Sequence, residues 1–297
     1  MTDIIREEAN AKLNLTLDIC GVRADGYHLL KSVMQTIDLH DDIVLERRPE
    51  GISLELVCEG NEASGHETIP AGADNLVCRA AKLMLDKYGG GGVAIKLVKR
   101  IPAAAGMGGG SADAAAVLRG MNRLYELGLD DDELCGMGVK LGADVPFCIM
   151  GGSRLCEGIG EEMTELKSLD RIDLVYAKPL IDVPTGRIYR MYDQEGDGGV
   201  RPDNEGICRL INRGGVRAEE LSEYLANVFE PLVEKMHPEI SRIKEELQNA
   251  GAAGTLMTGS GPTVFGLFKD SVSAKEAAER ISEVIGKVYA GTAYTTG

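Results

Sequence analysis

The sequence predicts an α+β protein of two domains, and three observations predict it. Period-two apolar alternation and helical periodicity both recur in each half of the chain. They follow one another without the regular strand–helix alternation of a doubly wound sheet. The length, 297 residues, suits about two domains of roughly 150 residues each. Gly151, Gly152, Gly158 and Gly160 interrupt the pattern, which sets the domain boundary near residue 155, dividing the chain into 1–155 and 156–297.

Residues 12–20 alternate strictly. Leu13, Leu15, Leu17 and Ile19 face one way and Lys12, Asn14, Thr16 and Asp18 the other, as in a half-buried strand. Further strands are predicted over 43–47, 52–57 and 93–98. Asp74 can cap a helix whose apolar stripe is Val77, Ala81, Met84, Leu85 and Tyr88, and Gly89 ends it. A second helix runs from 111 to about 127, with Ala115, Leu118 and Met121 inward, and a short one covers about 132–141. The second half opens with a strand over 172–177, followed by a polar, glycine-bearing stretch over 193–204. Helices follow at about 219–229 and 238–249. Two short strands, 255–258 and 263–268, bracket Gly259-Ser260-Gly261-Pro262, which taken alone reads as a plain hairpin turn. A helix over 273–285 and a strand over 287–294 complete the chain.

Composition narrows the functions. The chain has 32 Lys+Arg against 47 Asp+Glu, a net charge of −15. Such a surface is a poor match for nucleic acid or an anionic membrane, so neither is expected as a partner, and any phosphate must be held locally. No run approaches the ~18 apolar residues of a membrane span, and residues 1–10 lack the apolar stretch of a signal peptide. The seven cysteines are scattered without a C-x-x-C pair. That pattern fits small core residues in a reduced, cytoplasmic setting better than a disulfide framework or a zinc site. His40, His66 and His237 share no metal-ligand spacing, and no protein metal ligand is assigned. The 38 glycines among 297 residues are well above the usual ~7%, without any repeat period, which points to built loops.

The strongest local signal is Pro102-Ala103-Ala104-Ala105-Gly106-Met107-Gly108-Gly109-Gly110-Ser111. Small residues let several amides converge on one anion, and the helix that follows adds its N-terminal dipole. A phosphate cradle is predicted, though the lysine of a P-loop and the spacing of a dinucleotide fingerprint are both missing. Lys12 and Asn14 share one strand face. Asp144 follows a helix and precedes Val145-Pro146-Phe147, as a turn former, a cap or a catalytic carboxylate. Phosphoryl transfer to an alcohol needs an anion cradle, a carboxylate for the hydroxyl proton and a cation. Asp25-Gly26 reads as a turn, beyond which Tyr27 and His28 offer an aromatic face and a polar ring.

Three blocks in order resemble the GHMP kinase superfamily of small-molecule kinases: Ala11 to Leu15, Pro102 to Asp113, and Met257 to Phe265. The resemblance implies a two-domain GHMP kinase fold with the active site in the cleft between an N-terminal ATP-binding domain and a C-terminal, ferredoxin-like, substrate-side domain. Asp25-Gly26-Tyr27-His28 and Gly142 to Phe147 are most similar to the branch whose alcohol carries a cytidine diphosphate. That branch implies Asp144 as catalytic base, Lys12 as its charged partner and Asn14 beside the substrate. Tyr27 and His28 would form a cytosine pocket, joined by Thr185 and Tyr189. Asn75 and Leu76 would hold adenine, while Pro102 and Gly106, Met107, Gly108, Gly109, Gly110 and Ser111 take the ATP phosphates, with Mg²⁺ accompanying ATP. The expected activity is phosphorylation of the 2-hydroxyl of a cytidyl diphosphate sugar alcohol on the way to isoprenoid precursors, by a cytoplasmic monomer or homodimer. Two alternatives are a homoserine- or mevalonate-type kinase and a sensor that binds nucleotide and metabolite without transfer. The pyrimidine-pocket residues argue against the first, and retention of Lys12 and Asp144 against the second.

Overall fold

The computed structural model describes residues 3–61 and 64–297. Its first half is built on β1 (Ile4–Asn14), β2 (Thr16–Val22), β3 (His28–Arg48), β4 (Gly51–Cys58) and β5 (Gly92–Lys99). Helix α1 (Leu76–Tyr88) precedes β5, and α2 (Gly109–Leu124), α3 (Asp131–Gly138) and α4 (Val145–Met150) follow it. The hairpin β6 (Ser153–Glu157) and β7 (Glu162–Glu165) leads to β8 (Asp173–Pro179), α5 (Thr185–Glu195), α6 (Asn204–Arg213) and α7 (Ala218–Ser222). The chain ends with β9 (Ala226–Asn227), α8 (Glu230–Met236), α9 (Glu239–Asn249), β10 (Gly254–Met257), β11 (Val264–Phe268), α10 (Ser271–Ile285) and β12 (Val288–Tyr294).

Strand β3 organises the first lobe. Its outer part pairs antiparallel with β1 and β5, and its inner part with β1, β2 and β6. The pairing with β1 slips between Asn10, opposite His40, and Lys12, opposite Thr36, leaving extra residues on β3. Such a bulge bends a strand and re-aims its side chains. A second sheet, in the order β10-β11-β8-β12, forms the other lobe. The first sheet takes β6 and β7 through Glu165, so residue 155 falls within β6, and the second sheet begins at Asp173. The lobes share one apolar core, in which Leu13, Leu45 and Leu118 are continuous with Ile207, Leu221 and Phe265.

Several expectations need correction. Residues 12–20 form parts of two strands, and their polar face is not solvated: Lys12, Asn14 and Thr16 are as buried as the leucines, Lys12 against Gly108 and Asp144 of its own lobe, Asn14 and Thr16 against Thr258 and Asn204 of the second half. Asn75, not Asp74, caps α1, its Oδ1 accepting from the Val77 amide at 3.0 Å. The helix expected over 219–229 stops at Ser222, because 226–227 pairs with β2 as a parallel strand. The stretch over 193–204 holds the end of α5 and the start of α6. Of the cysteines, Cys20 and Cys58 are exposed, whereas Cys78 and Cys156 are in the core.

Candidate active site

The glycine loop is closed at its base by ionic contacts. Lys99, the last residue of β5, is buried and bridges Asp41 of β3 and Asp113 of α2, the latter at 2.7 Å. Asp41 also accepts the Arg100 and Ile101 amides. Residues 99–101 and 113 are therefore tied together at the base of the loop that runs between them. Burial alone would lower the Lys99 ammonium, but Asp113 and Asp41 outweigh it and hold it raised. Burial raises the Asp113 carboxyl well above its usual range; Lys99 offsets part of this and Asp41 adds to it.

Above that base lies a cavity of about 410 Å³ lined by Pro70, Asn75, Leu76, Pro102, the alanines 103–105, Gly106, Gly108, Gly109, Gly110 and Ser111. Met107 is the exception: its side chain is fully buried in the core and its carbonyl accepts the Lys12 amide at 3.0 Å. The Asn75 side chain is committed to the fold, capping α1 and donating to the Pro70 carbonyl at 2.8 Å. A second cavity, also about 410 Å³, meets the first at Ala104, Gly106, Gly108 and Ser111. It holds Lys12, Asn14, Asp144, Thr185, Tyr189 and the Gly259–Gly261 loop.

At the junction Lys12 Nζ lies 3.3 Å from Asp144 Oδ2 and donates to Asn14 Oδ1 at 2.6 Å. Asn14 in turn donates to Ser32 Oγ at 2.7 Å. Asp144 occupies the N-cap position of α4 yet makes no side-chain cap bond, so its carboxylate remains available to the cleft. Two arginines fix the other end of that helix: Arg119 Nη1 donates to the Cys148 carbonyl at 2.7 Å and Arg154 Nε to the Gly151 carbonyl at 2.9 Å. Burial, with the Asp144 charge adding to it, pushes the Tyr189 phenol up to about 12, so it stays neutral at pH 7.

The second glycine loop lies against the first, so the plain-turn reading of Gly259-Ser260-Gly261-Pro262 is incomplete. The Asn14 amide donates to Thr258 Oγ1 at 2.9 Å, and Asn227 Nδ2 donates to the Met257 and Gly259 carbonyls at 2.7 and 2.8 Å. Gly106 has φ +73°, and a Cβ there would run into the Thr258 carbonyl. Gly106→Ala is therefore expected to displace one loop from the other. Since a misplacement of about 1 Å can cost roughly 10²-fold, steady-state kinetics should show kcat/KM for ATP falling by about that factor. Unchanged kinetics would mean that the two loops do not depend on each other.

A third cavity, about 360 Å³, is continuous with the second through Leu30, Ala143, Ile159 and Tyr189, and adds Asp25, Gly26, Tyr27 and His28. Tyr27 is 58% exposed on its rim, whereas the His28 ring packs 4.8 Å from Tyr189. Thr185 Oγ1 meets Ser260 Oγ at 2.8 Å. The predicted site residues thus line three connected spaces, apart from the side chain of Met107. Asp41, Lys99, Asp113, Ser32 and Asn227 were missed. For Lys99 and Asp41 a signal existed: Lys99 continues the inward parity of Val93, Ile95 and Leu97, and Asp41 that of Ile43 and Leu45.

Residues 75–152 match the GHMP kinases N terminal domain and residues 209–287 the GHMP kinases C terminal domain. The chain is 43% identical over 273 residues to the 4-diphosphocytidyl-2-C-methyl-D-erythritol kinase of Acetivibrio thermocellus, covering 92% of this chain and 93% of that protein. The chain belongs to the GHMP kinase family. This GHMP kinase is also 41% identical to the protein of the same name from Caldicellulosiruptor saccharolyticus, with 95% and 94% of the two chains covered. It superposes on a crystal structure of 4-(cytidine 5'-diphospho)-2C-methyl-D-erythritol kinase with a TM-score of 0.81, 34% identity and coverage of 99% and 100%. Homoserine kinase from Cytophaga hutchinsonii shares the fold, with a TM-score of 0.74 at 18% identity and coverage of 100% and 95%. As a GHMP kinase the protein uses ATP. No helix among its described residues is long and apolar enough to cross a membrane.

Proposed function

We propose that this GHMP kinase transfers the γ-phosphoryl group of ATP to the 2-hydroxyl of 4-diphosphocytidyl-2-C-methyl-D-erythritol. The observation that supports this most is the Lys12–Asp144 pair, 3.3 Å apart where the glycine-loop cavity opens into a space ending at Tyr27 and His28. The adenine end of ATP lies against Asn75 and Leu76. The amides of Gly106 to Ser111 and the N-terminus of α2 hold the phosphates. The alcohol points its hydroxyl at Asp144, which accepts the proton as the oxygen attacks phosphorus. Lys12 sets a positive charge beside both the carboxylate and the equatorial phosphoryl oxygens, and Asn14 orients the ammonium. The cytidine end fills the third cavity.

Mg²⁺ accompanies ATP and neutralises phosphate charge. No cluster of three acidic, His or Cys side chains among the described residues could hold a resident ion. Bound with ATP, the cation would sit among the phosphate oxygens, with the Ser111 hydroxyl as the nearby protein group. Residues 1–155 supply the nucleotide cradle, and both halves contribute to the alcohol side.

A coupled ADP-release assay tests the substrate, comparing the cytidyl alcohol with homoserine and mevalonate. Turnover with the cytidyl alcohol alone is expected. Turnover with either of the others at a comparable kcat/KM would overturn the assignment.

A further inference from the structure

We propose that Asp193 is a specificity-positioning residue: it sets the tautomer of His28 and thereby makes the third cavity select a pyrimidine bearing an exocyclic amino group over one bearing a carbonyl. The inference rests on the reading of that cavity as the base site. His28 opens β3 and its ring is gripped by one face of α5. Tyr189 packs against it at 4.8 Å with the planes tilted by 44°, and Tyr192 meets it edge-on at 6.5 Å. Asp193 Oδ1 lies 2.6 Å from His28 Nε2. The three residues have the i, i+3, i+4 spacing of neighbours on a helix surface. The His28 side chain is only 12% exposed, so its orientation is set by these contacts.

An ionised carboxylate can only accept, so Nε2 must carry the hydrogen. In the neutral ring the lone pair then sits on Nδ1, which bonds to none of the described residues and is not sealed off from the cavity that His28 lines. A lone pair facing this cavity is complementary to an N–H. The 4-amino group of cytosine supplies one; the 4-oxo group of uracil would oppose a second lone pair. Accommodating uracil would require either moving the hydrogen to Nδ1, which leaves Nε2 and the Asp193 carboxylate as two facing acceptors, or adding a second proton to the ring. Each arrangement sets acceptor against acceptor or demands an extra proton, a mismatch that cytosine avoids, and such mismatches are how a polar site discriminates. Asp193 acts through His28 and touches no substrate itself, as an outer partner fixes the tautomer of a ligating histidine.

The test compares kcat/KM for the cytidyl alcohol and its uridyl counterpart in the wild type, Asp193→Ala and Asp193→Glu, with ¹⁵N chemical shifts of the His28 ring read in parallel. In Asp193→Ala the cytidyl-over-uridyl ratio should fall by about tenfold or more. The loss should come from a raised KM for the cytidyl substrate, with KM for ATP unchanged. Asp193→Glu, which keeps an acceptor, should recover most of the ratio. The ring shifts should report an Nε2–H tautomer in the wild type and a mixture in the alanine variant. An unchanged ratio in Asp193→Ala, an equal loss for both substrates, or an Nδ1–H tautomer in the wild type would each overturn the inference. A wild type inactive on the cytidyl alcohol would instead refute the substrate assignment, and the ring shifts would still decide whether Asp193 sets the tautomer.

Discussion

Asp144→Asn is expected to lower kcat by roughly 10²–10⁴-fold, the range that general-base catalysis contributes, while leaving the affinity for ATP within about twofold. The substitution removes basicity and little else. Asparagine has the same shape, and its oxygen can still accept from Lys12, 3.3 Å away. The carboxylate makes no cap bond to α4 and is 31% exposed, so folding does not depend on it. Helix α4 keeps its position, because the Arg119 and Arg154 bonds to the Cys148 and Gly151 carbonyls lie at its far end. The nucleotide cavity does not include Asp144, which is why ATP binding should survive. Single-turnover kinetics with a direct measurement of nucleotide affinity separates the two effects. Near-normal turnover would remove Asp144 from the role of base, and a parallel loss of ATP affinity would place it in the nucleotide site instead.

The second large effect is on stability. Lys99→Met is expected to destabilise the protein by about 3–5 kcal/mol, because removing one partner of a buried ionic group leaves the others uncompensated. Here two carboxylates, Asp41 and Asp113, would remain without their cation. The pH dependence has a definite sign. Burial raises Asp113, so between the ordinary carboxylate pKa and its raised value the folded chain holds a proton that the unfolded chain has released. Stability therefore falls as pH rises across that window. Without Lys99 the carboxyl is raised further and the window widens upward, so the penalty of Lys99→Met should grow with pH. Adding Asp113→Asn should recover part of it. Urea denaturation at several pH values reads both effects. A penalty independent of pH, or no recovery in the double variant, would mean that the triad is not an electrostatic unit.

The sequence was most legible where one short segment carries its own chemistry. Gly106 to Ser111 announce an amide cradle because the glycines and the helix that follows are adjacent in the chain, and the backbone there needs little else to bind an anion. Lys12, Asn14 and Asp144 were legible as residue types and by resemblance, but their meeting was not. A strand lysine at position 12 reads as solvated until Gly108 and Asp144 are seen to enclose it. The buried Lys99 cluster occupied a middle ground. Strand parity places Lys99 and Asp41 on inward faces, a signal contained in the alternation of their own strands. The third partner, Asp113, lies on a helix whose docking no periodicity reveals. Asn227 carried no local signal. The helical pattern around it prevailed until pairing with β2 converted two residues to strand.

What the sequence determined by itself was an α+β chain, an amide cradle suited to a phosphate-bearing ligand, and, by resemblance, a kinase family. Those rest on local properties: periodicity, glycine conformational freedom and the dipole of the adjoining helix. Tertiary structure alone decided that the two glycine loops pack against each other, that Lys12 reaches Asp144, and that Asp193 faces His28 across 165 positions of chain. Each is a contact between side chains or loops from distant segments. Such contacts depend on how helices, loops and sheets dock, and docking is set by the shape of the whole core, which no single window of sequence contains.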